Sequence, residues 1–260
     1  MPPPSKPRRR QLRILCFGDS LTSGFPAAQP YAGKLEETLE VALRGDNGGA
    51  GVEVQCEVEG VPGDKVTNGT YLSRMRSAWS PEEWYDWTIV LGGTNDLGWG
   101  HPAENILASL KDVWDIPLSR AGKVLALTVP DTRVRMGSLV ERRGKLNTAI
   151  KEYKRENFFY YDLHAGLPYH DMLPADRPRY WHMDGLHLTA EGYDLMGERI
   201  GGALARILHL AEAQGTELVR SPLSRAERRA AAERALLEEE RGDPKLLSQG
   251  YIVVRKGDLD

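Results

Sequence analysis

The chain has 260 residues, 41% of them hydrophobic, so it can build a sizeable core and is not a wholly disordered protein. A formal net charge of −3 excludes any general case for binding nucleic acid or an anionic membrane. No apolar run reaches the roughly 20 residues that span a bilayer.

The opening stretch MPPPSKPRRR is Pro-rich and basic and lacks the apolar segment of a secretory signal. It reads as a disordered tail over residues 1–10. The apolar run at 12–17 predicts a buried strand, and 31–44 a helix with Leu35, Leu39 and Leu43 on one face. The turn-rich RGDNGGAG that follows lacks the Gly-Lys-Ser/Thr ending of a phosphate-binding loop. Residues 52–58 alternate polar and apolar like an edge strand, and 67–79 read as helix. A short buried strand at 87–91 runs into GGTND, and a helix carrying Ile106, Leu110 and Val113 follows Pro102.

The next strand spans 123–129. Ser138 with Glu141 fits a capping box, opening a helix with Leu139, Leu146, Ile150 and Tyr153 inward. The last strand spans 158–163, and a long loop then holds His164, His170, His182 and His187. Thr189 suits the cap of a closing helix with Met196, Ile200, Leu204 and Leu208 on one face. Alternating strands and helices predict an α/β fold, a parallel sheet covered on both faces, over residues 11–215. Residues 216–260 read as a charged extension, helical at 224–241, which is either a solvated appendage or a surface for self-association. The two cysteines, Cys16 and Cys56, fall in predicted strands and read as free thiols, so an intracellular, cytoplasmic protein is expected.

In an open parallel sheet, ligands bind beyond the carboxyl ends of the strands. The polar bursts Gly18-Asp19-Ser20, Gly60-Val61-Pro62-Gly63-Asp64 and Gly92-Gly93-Thr94-Asn95-Asp96 fall at those ends, and Asp184-Gly185-Leu186-His187 precedes the last helix. A serine hydroxyl attacks only when a base takes its proton, and an imidazole base needs an acceptor on its other nitrogen. Ser20, His187 and Asp184 fit these roles. The N–H groups of Ser20 and Gly63 and the side-chain amide of Asn95 fit an oxyanion site. Taken singly, each is equally a turn, a cap or a loop glycine; their joint order along the chain is what selects the catalytic reading.

These blocks, GDSLTSG at 18–24, the glycine of VPGD at 61–64, GGTND at 92–96 and DGLH at 184–187, resemble the SGNH (GDSL) hydrolase family across roughly residues 12–210. The glycine block lacks the usual preceding asparagine. The resemblance implies a three-layer α/β/α fold, flavodoxin-like, with about five parallel strands. It implies Ser20 as nucleophile, Gly63 and Asn95 as oxyanion donors, His187 as base and Asp184 as its partner, with no metal or organic cofactor. A metal held by His182, Asp184 and His187, completed by His164 or His170, is the competing reading, but it leaves Ser20, Gly63 and Asn95 unexplained.

Phe25, Trp99, Tyr180 and Trp181 lie near the blocks and are candidates for an apolar substrate wall, or for loop packing. No Lys or Arg cluster flanks the blocks as a phosphate clamp would. A small-molecule or glycan ester is therefore the expected partner, and a carboxylesterase the preferred activity. A carbohydrate O-deacetylase or a lysophospholipase/thioesterase on the same machinery is the alternative, and a non-catalytic binding protein of the same fold is a third reading.

Overall fold

A computed structural model describes residues 10–44, 51–80 and 82–216. The N-terminal tail up to residue 9, the tip of the RGDNGGAG turn and the extension beyond residue 216 lie outside the described residues.

Five strands, β1 (Arg10–Gly18), β2 (Val52–Gly60), β3 (Trp87–Leu91), β4 (Lys123–Leu127) and β5 (Phe158–Tyr161), form one sheet in the order β2-β1-β3-β4-β5. Every neighbouring pair is parallel. The period-2 geometry of a strand divides its side chains between two layers. Leu12, Ile14 and Cys16 of β1 join Trp87, Ile89 and Leu91 of β3 beneath α2 (Ala32–Ala42) and α9 (Ala190–Ala213). Leu15, Phe17, Val90, Val124 and Ala126 face the opposite way, under α3 (Gly69–Ala78), α5 (Ala103–Ser119) and α6 (Gly137–Glu152). The expected three-layer α/β/α architecture is the observed one. Its direction reverses between β1 and β3, the switch point where this sheet order opens a crevice.

Short helices complete the carboxyl edge: α1 (Ser20–Ser23), α4 (Thr94–Gly98), α7 (Leu163–Gly166) and α8 (Arg177–Tyr180). Cys16 and Cys56 are both free thiols, on adjacent strands. No helix among the described residues is long and apolar enough to cross a membrane.

Several expected boundaries shift for identifiable reasons. The predicted capping box at Ser138 does not form: α6 begins one residue earlier, its cap position is Met136, and no side chain caps it. β4 stops at Leu127 rather than 129 because the Asn147 side chain takes over Val129, accepting from its N–H at 2.8 Å and donating to its carbonyl at 2.9 Å. β5 ends at Tyr161 because the Asp162 carboxylate caps α7 by accepting from the Ala165 N–H. His164 therefore lies in a short helix, not in a loop. At Thr189 the expected cap is present, its hydroxyl accepting from the Gly192 N–H at 3.1 Å.

The approach of α9 to α2 is set by Gly197, where an added Cβ would lie 2.4 Å from the Tyr31 carbonyl oxygen and 3.0 Å from the Leu35 nitrogen. These are backbone atoms, so the helices must separate to admit even a methyl group. Gly197→Ala is expected to lower unfolding free energy by about 1–3 kcal/mol in urea melts. On the same helix Gly202→Ala, whose Cβ would meet only Arg206 Nη1 at 3.8 Å, should leave stability unchanged or raise it by up to about 1 kcal/mol.

Candidate active site

β1 delivers its last residue, Gly18, into a crowded corner: a Cβ there would sit 2.2 Å from Thr22 Oγ1 and 2.6 Å from the Leu91 carbonyl oxygen. Only glycine lets the chain turn so close to β3. Asp19 then caps α1, its carboxylate accepting from the Leu21 N–H at 3.0 Å. Ser20 is the first residue of that helix and is 6% exposed. Gly24 ends α1 in the left-handed region at φ +76°, a conformation that favours glycine.

The imidazole arrives from the other end of the chain. Between α8 and α9, the Thr189 N–H donates to the Tyr180 carbonyl at 3.1 Å and the His182 N–H to the His187 carbonyl at 2.9 Å, closing a tight loop. Within it Asp184 Oδ1 accepts from the N–H groups of Leu186 and His187, at 2.8 and 2.9 Å. Its Oδ2 lies 2.8 Å from His187 Nδ1 and 3.1 Å from His182 Nδ1. Partial burial raises the Asp184 carboxyl, but the His187 N–H and ring, the Leu186 N–H and the His182 ring together hold it well below the usual carboxylate range. The carboxylate assigns the proton of His187 to Nδ1, leaving Nε2 to accept from the Ser20 hydroxyl at 2.9 Å. Phe25 packs edge-on against the His187 ring at 5.0 Å between centroids, and the Tyr193 hydroxyl donates to the Phe25 carbonyl.

The remaining blocks meet at the β1–β3 crevice. Gly63 sits in the connection after β2 at φ +80°. Asn95, in α4, donates one amide hydrogen to the Asp64 carbonyl at 2.9 Å; the other faces Asp19 Oδ2 at a long 3.4 Å. The first of these bonds ties the glycine loop to Asn95 although no asparagine precedes Gly63. Asp96 is fully buried and accepts from the N–H groups of Val66 and Thr67 and from the Thr67 hydroxyl. Arg74 draws the ends of β1 and β2 and the connection after β2 together, donating to the carbonyls of Gly18 and Glu59 and to the Asp64 carboxylate.

The structure thus brings together Ser20, Asp184 and His187, and places Gly63 and Asn95 on neighbouring connections of the same edge. The four aromatic candidates separate. Phe25 and Trp99 are on the surface, 47% and 76% exposed, with Lys65 Nζ 4.5 Å from the Trp99 ring centroid. Trp181 is instead 3% exposed, packed against Tyr169 in the core, which corrects its expected place in a substrate wall. Tyr180 is half-buried against the same core and carries Arg179 on its ring. His170 Nε2 lies 3.0 Å from the Thr132 carbonyl, and the His164 N–H donates to Thr128 Oγ1, so both serve other connections. No group of three His, Cys, Asp or Glu side chains among the described residues is arranged to hold a metal ion.

Two arginines escaped the sequence reading. Arg74 is one; the other is Arg133, whose N–H donates to the Gly185 carbonyl at 2.7 Å and whose guanidinium donates to the Met183 carbonyl at 2.9 Å. A lone arginine in a predicted helix or loop carries no signal that its partners will be distant carbonyls.

Asp19 occupies the opposite environment from Asp184. Burial pushes its carboxyl from 3.8 up to about 7, against the Leu21 N–H, with Asp96 and Asp64 adding repulsion. Because the folded pKa exceeds the unfolded one, the native state holds this proton more tightly. Its stabilising contribution is complete below pH 3.8 and is lost as pH rises through about 7. Asp19→Asn should remove that dependence, so its stability relative to the wild type climbs by about 4 kcal/mol between pH 4 and 8. Denaturant melts across this range check it, and a constant difference would refute the burial argument.

Comparisons with known proteins bear on the family and the fold. The family model described as the GDSL-like lipase/acylhydrolase family matches residues 16–195. A lipolytic protein of the G-D-S-L family from Veillonella parvula superposes with a TM-score of 0.56 at 21% identity, over 75% of this chain and 99% of that one. The lipase Lip_vut3 from a goat rumen metagenome gives 0.54 at 18% identity, over 74% and 97%. A carbohydrate esterase family 3 protein from Talaromyces cellulolyticus gives 0.53 at 18%, over 76% and 98%. No curated protein sequence matches the chain. These structural likenesses bear on the fold, and the family model spans most of the chain: the protein belongs to the GDSL-like lipase/acylhydrolase family.

Proposed function

We propose that the protein hydrolyses carboxylic esters through an acyl-enzyme on Ser20. The observation that carries this reading is the continuous chain from Ser20 Oγ to His187 Nε2 at 2.9 Å and from His187 Nδ1 to Asp184 at 2.8 Å. His187 takes the hydroxyl proton as Ser20 adds to the ester carbonyl. The N–H of Ser20, the N–H of Gly63 and the Asn95 amide receive the oxyanion. For Asn95 this means turning its loosely held second hydrogen from Asp19 toward the substrate. His187 then protonates the leaving alcohol, and water repeats the sequence on the acyl-enzyme. Asp184 keeps the proton of His187 on Nδ1 and stabilises the imidazolium while it lasts.

In this reading Phe25, which touches the His187 ring, and the exposed Trp99 would meet the apolar part of a substrate. The two free thiols fit a reducing, cytoplasmic setting. Small acyl groups are the preferred substrate, with acetylated glycans and lysophospholipids the comparison classes.

A chain-length panel of p-nitrophenyl esters, run beside acetylated xylan and a lysophospholipid, tests the assignment. Ser20→Ala and His187→Ala should each lower kcat by roughly 10⁶, and Asp184→Asn by roughly 10⁴. Asn95→Ala should lower kcat by about 10²–10³ with little change in KM. Equal inactivity of the wild type and Ser20→Ala on every substrate would sink the proposal.

A further inference from the structure

We infer that Arg133 is a positioning residue for catalysis: its guanidinium holds the peptide unit that precedes Asp184, and so fixes the carboxylate that orients His187. The inference rests on the triad reading above and adds to it a residue that acts only through Asp184.

Asp184 stands in a turn whose backbone groups are nearly all taken up by hydrogen bonds. Directly after it, the Gly185 N–H donates to the His182 carbonyl at 2.9 Å. In the next peptide unit the Leu186 N–H donates to Asp184 Oδ1 at 2.8 Å, while the Gly185 carbonyl accepts from the Arg133 N–H at 2.7 Å. The His187 N–H then donates to Asp184 Oδ1 at 2.9 Å. The unit joining Met183 to Asp184 is held differently. Its N–H reaches only His182 Nδ1, at a long 3.5 Å, and the Met183 side chain, 83% exposed, anchors nothing. What fixes this unit is the bond at its carbonyl end, where Arg133 Nη1 donates at 2.9 Å. Without that bond Asp184 is free to rotate about its N–Cα bond, and its carboxylate turns away from the 2.8 Å approach to His187 Nδ1.

Arg133 can impose this geometry because its own backbone is fixed. Asp131, 7% exposed, pairs with the buried Arg143 of α6 at 2.5 Å. The Thr132 carbonyl accepts from His170 Nε2 at 3.0 Å, and Arg177 donates to the His170 carbonyl at 2.8 Å. The Arg133 stem lies along Gly185, where an added Cβ would come within 2.3 Å of Arg133 Cβ and 3.1 Å of its Nε. The catalytic loop therefore meets the β4–α6 connection at a backbone bond, which survives replacement of the Arg133 side chain, and at a guanidinium bond, which does not. A guanidinium is planar with its donors in a fixed fork, so it sets direction as well as distance.

Arg133→Met keeps the stem and the backbone bond and removes the donors; Arg133→Lys keeps a cationic donor of similar reach. On the best ester of the panel, Arg133→Met should lower kcat about tenfold with KM within about twofold, and Arg133→Lys should recover most of that loss. In an Asp184→Ala background the same Arg133→Met change should cost less than about twofold, because the carboxylate it positions is already gone. A second measurement needs no turnover. The Leu186 and His187 amides, which donate to Asp184 Oδ1, should exchange with solvent about tenfold faster in Arg133→Met, while amides in the middle of α9 keep their rates. A residue that only supports the fold would lower the unfolding midpoint and leave kcat per folded molecule in place. A residue that contacts substrate would cost the same tenfold in both backgrounds. Either result overturns the inference. If Arg133→Met fails to fold, Arg133→Ala is put through the same measurements, and unchanged exchange at Leu186 and His187 overturns it. An inactive wild type would count against the ester-hydrolase reading instead, and the exchange rates would still decide whether Arg133 holds Asp184.

Discussion

β1 runs parallel to both its neighbours, and the active-site end of the molecule depends on that constraint. Its register places Gly18 beside Gly60 on one side and Leu91 on the other. Parallel strands require a crossover after each one, so the connections leaving β1, β2 and β3 emerge at a single edge. At the end of β1 there is no room for a side chain, and Ser20 comes two residues later, on the first turn of a helix. The Gly18 carbonyl, which also accepts from the Val61 N–H, and the Glu59 carbonyl both accept from the one planar guanidinium of Arg74, whose remaining charge is met by Asp64.

His187 reaches Ser20 from 167 residues away, so its placement is a matter of packing rather than of local chain geometry. α9 lies against α2, where glycines at 197 and 201 let the two helices approach closely. The Gln29 amide donates to Asp194 at 2.6 Å, tying the segment after Ser20 to the first turns of α9. The loop carrying Asp184 and His187 is thereby hung on a helix that is itself fixed to the segment following Ser20. Arg133 grips the same loop from the connection between β4 and α6. Two carboxylates in one site thus acquire opposite characters. Asp184 is surrounded by donors and stays ionised, whereas Asp19 is buried beside Asp96 and Asp64 and resists ionisation.

Much of this was legible in the chain because its signals are local. A buried strand, an amphipathic helix face and a hydroxyl cap are each written within a few residues, and those at β3, α9 and Thr189 appear where expected. The failures share a cause. Ser138 and Glu141 have the right spacing for a capping box, yet the helix starts earlier, since no local rule knows where the preceding connection ends. The short β4 and β5 reflect side chains, Asn147 and Asp162, that claim backbone groups a strand would otherwise have used. Trp181 looked like a pocket residue by proximity in sequence, but the bridge between Trp181 and Leu188 turns it into the core.

The sequence by itself determined the alternation that makes a doubly covered parallel sheet, and the order of the polar blocks at its strand ends, because both depend on residue type and short-range period. Only the tertiary structure decided which partners those polar residues take. That His182 comes within 3.1 Å of the Asp184 carboxylate, that Asn95 fastens the Gly63 loop, and that Arg74 and Arg133 bind distant carbonyls are all consequences of three-dimensional approach. Hydrogen bonds are directional and reach about 3 Å, so their pairing is settled by packing to within fractions of an ångström, a precision that spacing along the chain does not encode.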